Sequence, residues 1–233
     1  MTGPLRIAAA IPAFDAAASI GEVVRRTRAL VPDVLVVDDG SSDGTGAKAE
    51  AAGARVCTHE RNLGKGAALR TAFDDLFGRG VEAVITLDAD GQHLPEEIPH
   101  LLRLASEGAD LVIGTREHLF DAMSLMRRTS NRLSSRAISF AAGRELADVQ
   151  SGFRLYTRRV ISGIGFPESR FDAESAVVVR AARAGYRIAV VPVALGFADG
   201  RTTSHYRPVV DSLRIASAVT RARFESRRLV RPS

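Results

Sequence analysis

From residue 7 to residue 113 the sequence alternates short apolar runs with segments of helical periodicity, and no other feature constrains the fold as much. Apolar runs at residues 7–11, 34–37, 55–58, 81–87 and 111–113 read as strands, the first of them stopped by Pro12. Between them, residues 19–30, 45–52, 65–77 and 95–107 read as helices. Ser19 and Glu22 have capping-box spacing, Pro95 suits a first helical position, and Gly53, Gly78 and Gly108 close three of the helices. Strand and helix in strict alternation predict an α/β fold: a mostly parallel sheet flanked by helices.

Such a sheet binds ligands beyond the carboxyl ends of its strands. Acidic residues collect at those ends here: Asp15 after the first run, Asp38 and Asp39 after the second, Asp88 and Asp90 after the fourth. A single ligand-binding edge is therefore expected from the pattern alone.

Asp88-Ala89-Asp90-Gly91-Gln92-His93 is the centre of that edge. If the backbone stays extended, Asp88 and Asp90 direct both carboxylates to one face. Gly91 permits a sharp turn, and Gln92 adds a neutral oxygen. This is a hard-oxygen set suited to Mg²⁺ or Mn²⁺, ions that keep several positions for water and substrate phosphate. A surface turn rich in Asp and Gly has the same composition, and His93 reads more readily as a loop histidine than as a ligand. After the second run, Asp38 and Asp39 can accept hydrogen bonds from a base or a ribose, whereas Ser42 or Asp43 suits a helix N-cap. Gly64 and Lys65, in Asn62-Leu63-Gly64-Lys65-Gly66, open a helix, where glycine admits close approach and the helix start favours an anion.

Composition narrows the class. At 233 residues there is room for one sizeable domain or two small ones, and the absence of Trp leaves a core of Ala, Val, Leu and Ile. One cysteine, Cys57, excludes an internal disulfide, fits a reducing compartment and reads as a buried structural thiol. No apolar stretch is long enough to span a membrane and no signal peptide is seen, so a cytoplasmic protein is expected. A net charge of +5 favours anionic partners. With only 6% aromatic residues for base stacking, nucleic acid is the weaker choice among them.

Together these segments resemble family 2 glycosyltransferases of the GT-A fold, in the branch of dolichyl-phosphate mannose synthases and polyprenyl-phosphate glycosyltransferases. The resemblance covers about residues 5–200. Ile11-Pro12-Ala13-Phe14-Asp15 stands where that branch usually has Pro-Ala-Tyr-Asn-Glu. Val37-Asp38-Asp39-Gly40-Ser41 and Asn62-Leu63-Gly64-Lys65-Gly66 follow in order. Asp88 to Glu96 matches the metal motif, Gly114-Thr115-Arg116 is similar to its Gly-Ser-Arg, and Gln150-Ser151-Gly152-Phe153-Arg154 to its Ser-Gly-Phe-Arg. The resemblance implies that Asp90 and Gln92 bind the metal and that Asp88 bridges it to the nucleotide. It implies that Asp39, Pro12, Ala13 and Phe14 hold the nucleoside of a GDP- or UDP-sugar. Arg116 with Arg127 or Arg128 would meet the acceptor phosphate, and Arg201 would close over the diphosphate. Ala16 departs from the usual Glu, and the spanning helices of many branch members are missing.

The implied chemistry is inverting transfer to a polyprenyl or dolichyl phosphate. An anionic phosphate acceptor needs cations, for which Arg116, Arg127, Arg128 and Arg154 are candidates, and no general base. A soluble hydroxyl acceptor, the alternative, would need one, and Asp148 and Glu174 are the acids available. A nucleotidyltransferase would also use such a sheet, but the Gly-rich basic signature after the first strand is lacking. The expected organisation is a single domain over residues 1–206, with a donor and metal half to residue 115 and an acceptor half after it. A basic amphipathic tail, 207–233, follows. Its apolar residues and arginines suit either an anionic membrane surface or packing on the domain. A lipid acceptor would place the protein peripherally on the inner face of the plasma membrane.

Overall fold

In the computed structural model, residues 5–115, 138–143, 151–170, 172–196 and 217–222 are described. In chain order the elements are β1 (Ile7–Ala13), α1 (Ile20–Arg28), β2 (Val34–Asp38), α2 (Thr45–Ala51), β3 (Arg55–Thr58), α3 (Lys65–Gly78) and β4 (Ala83–Thr86). After a 3₁₀ turn (Pro95–Glu97) come α4 (Ile98–Ser106), β5 (Leu111–Thr115), β6 (Arg154–Thr157), α5 (Arg158–Ile164), α6 (Asp172–Arg183) and β7 (Ile188–Pro192). The strands form one sheet in the order β3-β2-β1-β4-β6-β5-β7. All pairings are parallel except those of β6, which runs antiparallel to both β4 and β5.

The sheet is covered on both faces, which is why its strands read as nearly continuous apolar runs. In β1, Ala8 and Ala10 join the layer under α3, α5 and α6, while Ala9 and Ile11 join the layer under α1 and α4. The small side chains of β1 are what let helices approach a central strand from both sides. Phe73, on α3, is 1% exposed and meets Phe77, Tyr156 and Phe166 at centroid distances of 5.1 to 5.7 Å. In the tail, residues 217–222 are helical, and Ala218, Val219 and Ala222 belong to the α3 layer.

Several local expectations change in three dimensions. Pro12 does not stop β1: it pairs with Val37 of β2, beyond the last β1–β4 pair, Ala10 with Thr86. Past that point β1 has a strand on one side only, where a residue without an N–H is tolerated. Ser19 precedes α1 but caps nothing with its side chain, and Glu22 pairs with Arg25 instead of closing a capping box. Cys57 is half-buried at the edge of the core, because β3 is the outermost strand. Among the described residues, no helix is long and apolar enough to cross a membrane.

The placement of β6 matters most for the site. Its first residue, Arg154, pairs with Thr86 at the carboxyl end of β4 and with Ile113 of β5. An antiparallel strand between parallel neighbours enters the sheet at the edge where they leave it. Ser151, Gly152 and Phe153 are thereby brought to the ligand edge.

Candidate active site

The parallel strands deliver their loops to one edge, and these loops are bonded to each other. Asp15 has a left-handed backbone (φ 46°); its N–H donates to Ser41 Oγ at 2.9 Å and its Oδ1 accepts from Ser42 N at 3.0 Å. Asp39 N donates to the Ala13 carbonyl at 2.8 Å. The segment from Pro12 to Asp15 and the turn after β2 thus form one double-walled rim.

Asp38 and Asp39 are almost fully buried, at 5% and 3% exposure. The Asp38 carboxylate accepts from Ser41 N at 3.0 Å and Gly46 N at 3.1 Å. That of Asp39 accepts from Leu63 N at 2.9 Å and Gly64 N at 2.7 Å, and lies 2.6 Å from His59 Nδ1. His59 Nε2 is in turn 3.0 Å from Thr71 Oγ1. The first work of these carboxylates is to satisfy backbone N–H groups in the loops after β2 and before α3. Sequence reading missed His59, which has no local signal; only the fold sets it beside Asp39.

The Gly64-Lys65-Gly66 start of α3 is covered by the chain itself. A Cβ on Gly66 would lie 2.7 to 2.8 Å from backbone atoms of Glu168, Ser169 and Arg170, and one on Gly64 would lie 2.5 Å from the Ser169 carbonyl. Ala67 N donates to that carbonyl at 2.9 Å. The close approach that these glycines permit is made by the 168–170 segment, which is anchored by the buried ion pair of Glu168 with Arg180.

Lys65 points from this covered start to the end of β4. Its Nζ lies 2.6 Å from Asp88 Oδ1 and 2.9 Å from Glu174 Oε2 on the first turn of α6. Burial would by itself lower the pKa of this ammonium, but the charges of Asp88 and Glu174 outweigh it and raise the pKa well above the usual lysine range. Gly152 closes the other side: a Cβ there would lie 2.6 and 2.8 Å from the Asp88 carboxylate oxygens and 2.7 Å from Lys65 Nζ.

After Asp88 the chain turns at Ala89 and Asp90 instead of continuing as a strand. The two carboxylates are therefore not aligned by strand alternation. Asp88 faces Lys65, while Asp90 Oδ1 accepts from Gln92 N at 2.9 Å within a turn that Gly91 completes at φ 75°. Ser19 Oγ donates to the Ala89 carbonyl at 2.7 Å, so the start of α1 braces the turn. His93 is 2% exposed and stacks on Phe153 at 5.5 Å, with its Nδ1 3.6 Å from Asp88 Oδ2.

Arg154, expected among the acceptor cations, is fully buried. It donates to the Ser151 carbonyl at 2.7 Å, the Glu174 carbonyl at 2.6 Å and the Tyr156 hydroxyl at 3.3 Å. Burial pushes that hydroxyl up to about 12, with Arg154 opposing the rise. In this place Arg154 holds the Gly152 loop to the start of α6, because β6 is an interior strand. Arg116, Arg127, Arg128, Asp148 and Arg201 lie outside the described residues.

The sequence profile of the family described as "Glycosyl transferase family 2" matches residues 9–165, from β1 through α5. The chain belongs to glycosyl transferase family 2. Among relatives of this family 2 chain, glycosyltransferase AglJ of Haloferax volcanii is 34% identical over 195 residues, covering 82% of this chain and 63% of that protein. The undecaprenyl-phosphate 4-deoxy-4-formamido-L-arabinose transferase of Yersinia enterocolitica is 32% identical over 171 residues, 68% of this chain and 51% of that one. The chain thus spans between half and two thirds of the length of these relatives. Crystalline glucosyl-3-phosphoglycerate synthase from Mycobacterium tuberculosis, in complex with Mn²⁺, UDP and phosphoglyceric acid, superposes with a TM-score of 0.72. That match has 21% identity and covers 95% of this chain and 78% of the other. The fold of the family 2 chain is of the GT-A type.

Proposed function

We propose that this chain is an inverting glycosyltransferase moving a sugar from a GDP- or UDP-sugar to a polyprenyl or dolichyl phosphate, assisted by Mg²⁺ or Mn²⁺. The observation that carries this reading is the engagement of Glu174. An acid serving as base for a hydroxyl acceptor must reach that hydroxyl. Glu174 is 5% exposed and paired with Lys65. A phosphate acceptor is already an anion and needs no base. The relatives named for undecaprenyl phosphate support the same acceptor class.

The donor set of the Asp88–Gln92 turn fits a hard divalent cation. The turn offers the Asp90 carboxylate and the Gln92 amide, with Asp88 turned to Lys65, and no group of three or more His, Cys, Asp or Glu side chains forms a cage among the described residues. Mg²⁺ is commonly bound by one or two carboxylates with water and substrate phosphates completing its shell. Asp90 and Gln92 would hold the ion, which supplies neutralisation of the charge that grows on the departing diphosphate. In this reading Asp88 faces the nucleotide side, and the Pro12–Asp15 and Asp38–Ser42 rim frames the nucleoside. Asp39 accepts through both oxygens already, so it can shape the base pocket as well as touch the base. Arg116, with Arg127 or Arg128, is proposed for the acceptor phosphate and Arg201 for the diphosphate. Asp148 is a reserve base that a phosphate acceptor leaves unused.

A donor screen by thermal shift, with and without Mn²⁺, tests the reading. A true donor at 100 times its Kd stabilises the fold by about 2.7 kcal/mol. Release of nucleoside diphosphate should then depend on added undecaprenyl phosphate. If UDP, GDP and their sugars all leave the melting temperature unchanged with metal present, the reading is wrong. If only soluble hydroxyl acceptors support release, the acceptor assignment is wrong.

A further inference from the structure

We propose that Lys65 and Glu174 are positioning residues: the ammonium of Lys65, anchored by Glu174, fixes the Asp88 carboxylate against Gly152 for its work on the donor. The proposal rests on the transferase reading above. It extends that reading by giving Lys65 a role through Asp88 rather than a direct hold on phosphate.

Electrostatics argue first. Lys65 stands between two carboxylates, so its charge is already engaged on both sides. The helix start behind it is occupied, since Ala67 N already donates to the Ser169 carbonyl. The lysine charge and the Ala67 N–H, two groups that would draw an anion to this helix start, are therefore already engaged within the chain.

Energetics argue next. The Lys65 and Glu174 side chains are 15% and 7% exposed. Taking such ions out of water is costly, and buried pairs are often replaced by apolar residues with no loss of stability. Glu174 Oε1 is also buried with no hydrogen-bond partner among the described residues. A buried carboxylate with one oxygen unsatisfied is a poor device for stability alone.

Geometry completes the case. Asp88 is the most exposed of the three, at 30% of its side chain, and lies past the end of β4 where no ladder holds it. Lys65 has a long flexible stem, and Glu174 restrains its far end. Both anchors are themselves fixed: the Glu174 carbonyl by Arg154, and the first turn of α3 by the 168–170 segment. Gly152 fills the remaining side, with its carbonyl held by Thr86 Oγ1 at 2.9 Å. The segments of Lys65, Glu174 and Gly152 thus converge on one carboxylate.

The test compares Lys65→Met, Glu174→Gln and the double variant. Lys65→Met strands a buried carboxylate and should lower the melting temperature, and adding Glu174→Gln should restore it. Turnover should not return with stability: kcat of the double variant should stay at least about tenfold below the parent, since misplacement by 1 Å costs on the order of a hundredfold. Recovery of kcat together with the melting temperature overturns the proposal. Should the double variant not fold, Glu174→Gln alone decides. It keeps its shape and should melt at or above the parent temperature while kcat drops about fivefold or more, and an unchanged kcat overturns the proposal. Crystal structures provide a readout that needs no substrate. The Asp88 carboxylate should shift in the folded variants, and its staying in place refutes the positioning role. If the parent turns over no nucleotide-sugar, the transferase reading fails, while these crystallographic positions still decide what Lys65 and Glu174 do.

Discussion

Replacing Gly152 with alanine is the sharpest single perturbation of this site. The added Cβ would lie 2.6 Å from one Asp88 oxygen, 2.8 Å from the other and 2.7 Å from Lys65 Nζ, where ordinary contact begins at 3.4 Å. Each polar atom must therefore yield by about 0.6 to 0.8 Å. The backbone cannot retreat easily, because Thr86 Oγ1 holds the Gly152 carbonyl and Gly114 N holds the Phe153 carbonyl at 2.9 Å. The displacement falls on the ends of two side chains, so overpacking should cost the fold only about 1 to 2 kcal/mol. Catalysis should suffer more, because a 1 Å misplacement of a reacting group costs on the order of a hundredfold. We expect kcat for nucleoside diphosphate release to fall about ten- to a hundredfold with the melting temperature lowered by a few degrees. Parent-like kcat in a folded Gly152→Ala variant would refute the argument that this glycine sets the position of Asp88.

Three further outcomes are expected. Asp39→Asn should destabilise the fold by about 2 to 3 kcal/mol in urea, since charge-assisted hydrogen bonds to Leu63 N and Gly64 N are weakened at a buried site; a loss below about 0.5 kcal/mol would contradict this. Gly66→Ala should cost at least about 2 kcal/mol in the same assay, because its Cβ meets backbone, which cannot rotate away. For pH, Asp75 and Glu96 are held below their ordinary values of 3.8 and 4.5. Burial opposes the effect at Asp75 but the guanidinium groups of Arg55 and Arg79 prevail, and at Glu96 the hydrogen bond from Arg26 leads. Depressed acids stabilise above their unfolded pKa, so thermal stability should fall as pH drops below about 4.5. Lys65 is raised, so its contribution is complete below its ordinary 10.5 and is lost only above that. These groups therefore add no slope between pH 6 and 9, and a Lys65-dependent slope in that range would contradict the assignment.

Much of this was legible in the sequence because it is local. Among the described residues, the strands and most of the helices follow from hydrophobic runs and their punctuation. These include the strand read at 187–193, the strand entered after residue 148 and the helix read at 171–184. The acids at strand ends mark the ligand edge, since every strand of a parallel array exits on the same side. The family 2 character lay in motifs whose order survives in a linear string. What the sequence could not show is pairing across distance. Ser19 looked like a helix cap and instead braces Ala89: its hydroxyl donates to that carbonyl and accepts from no N–H of the first turn of α1. Arg154 gave no sign in sequence of the Ser151 and Glu174 carbonyls it braces, which it meets because β6 enters the sheet between β4 and β5. Lys65 looked like an anion contact and meets Asp88 and Glu174, one following β4 and the other from a helix more than 80 residues further on. Local chemistry determined which residues this protein could use. Only the tertiary structure decided which of them touch, and the insertion of one antiparallel strand is what carries Gly152 to the carboxylate beyond β4.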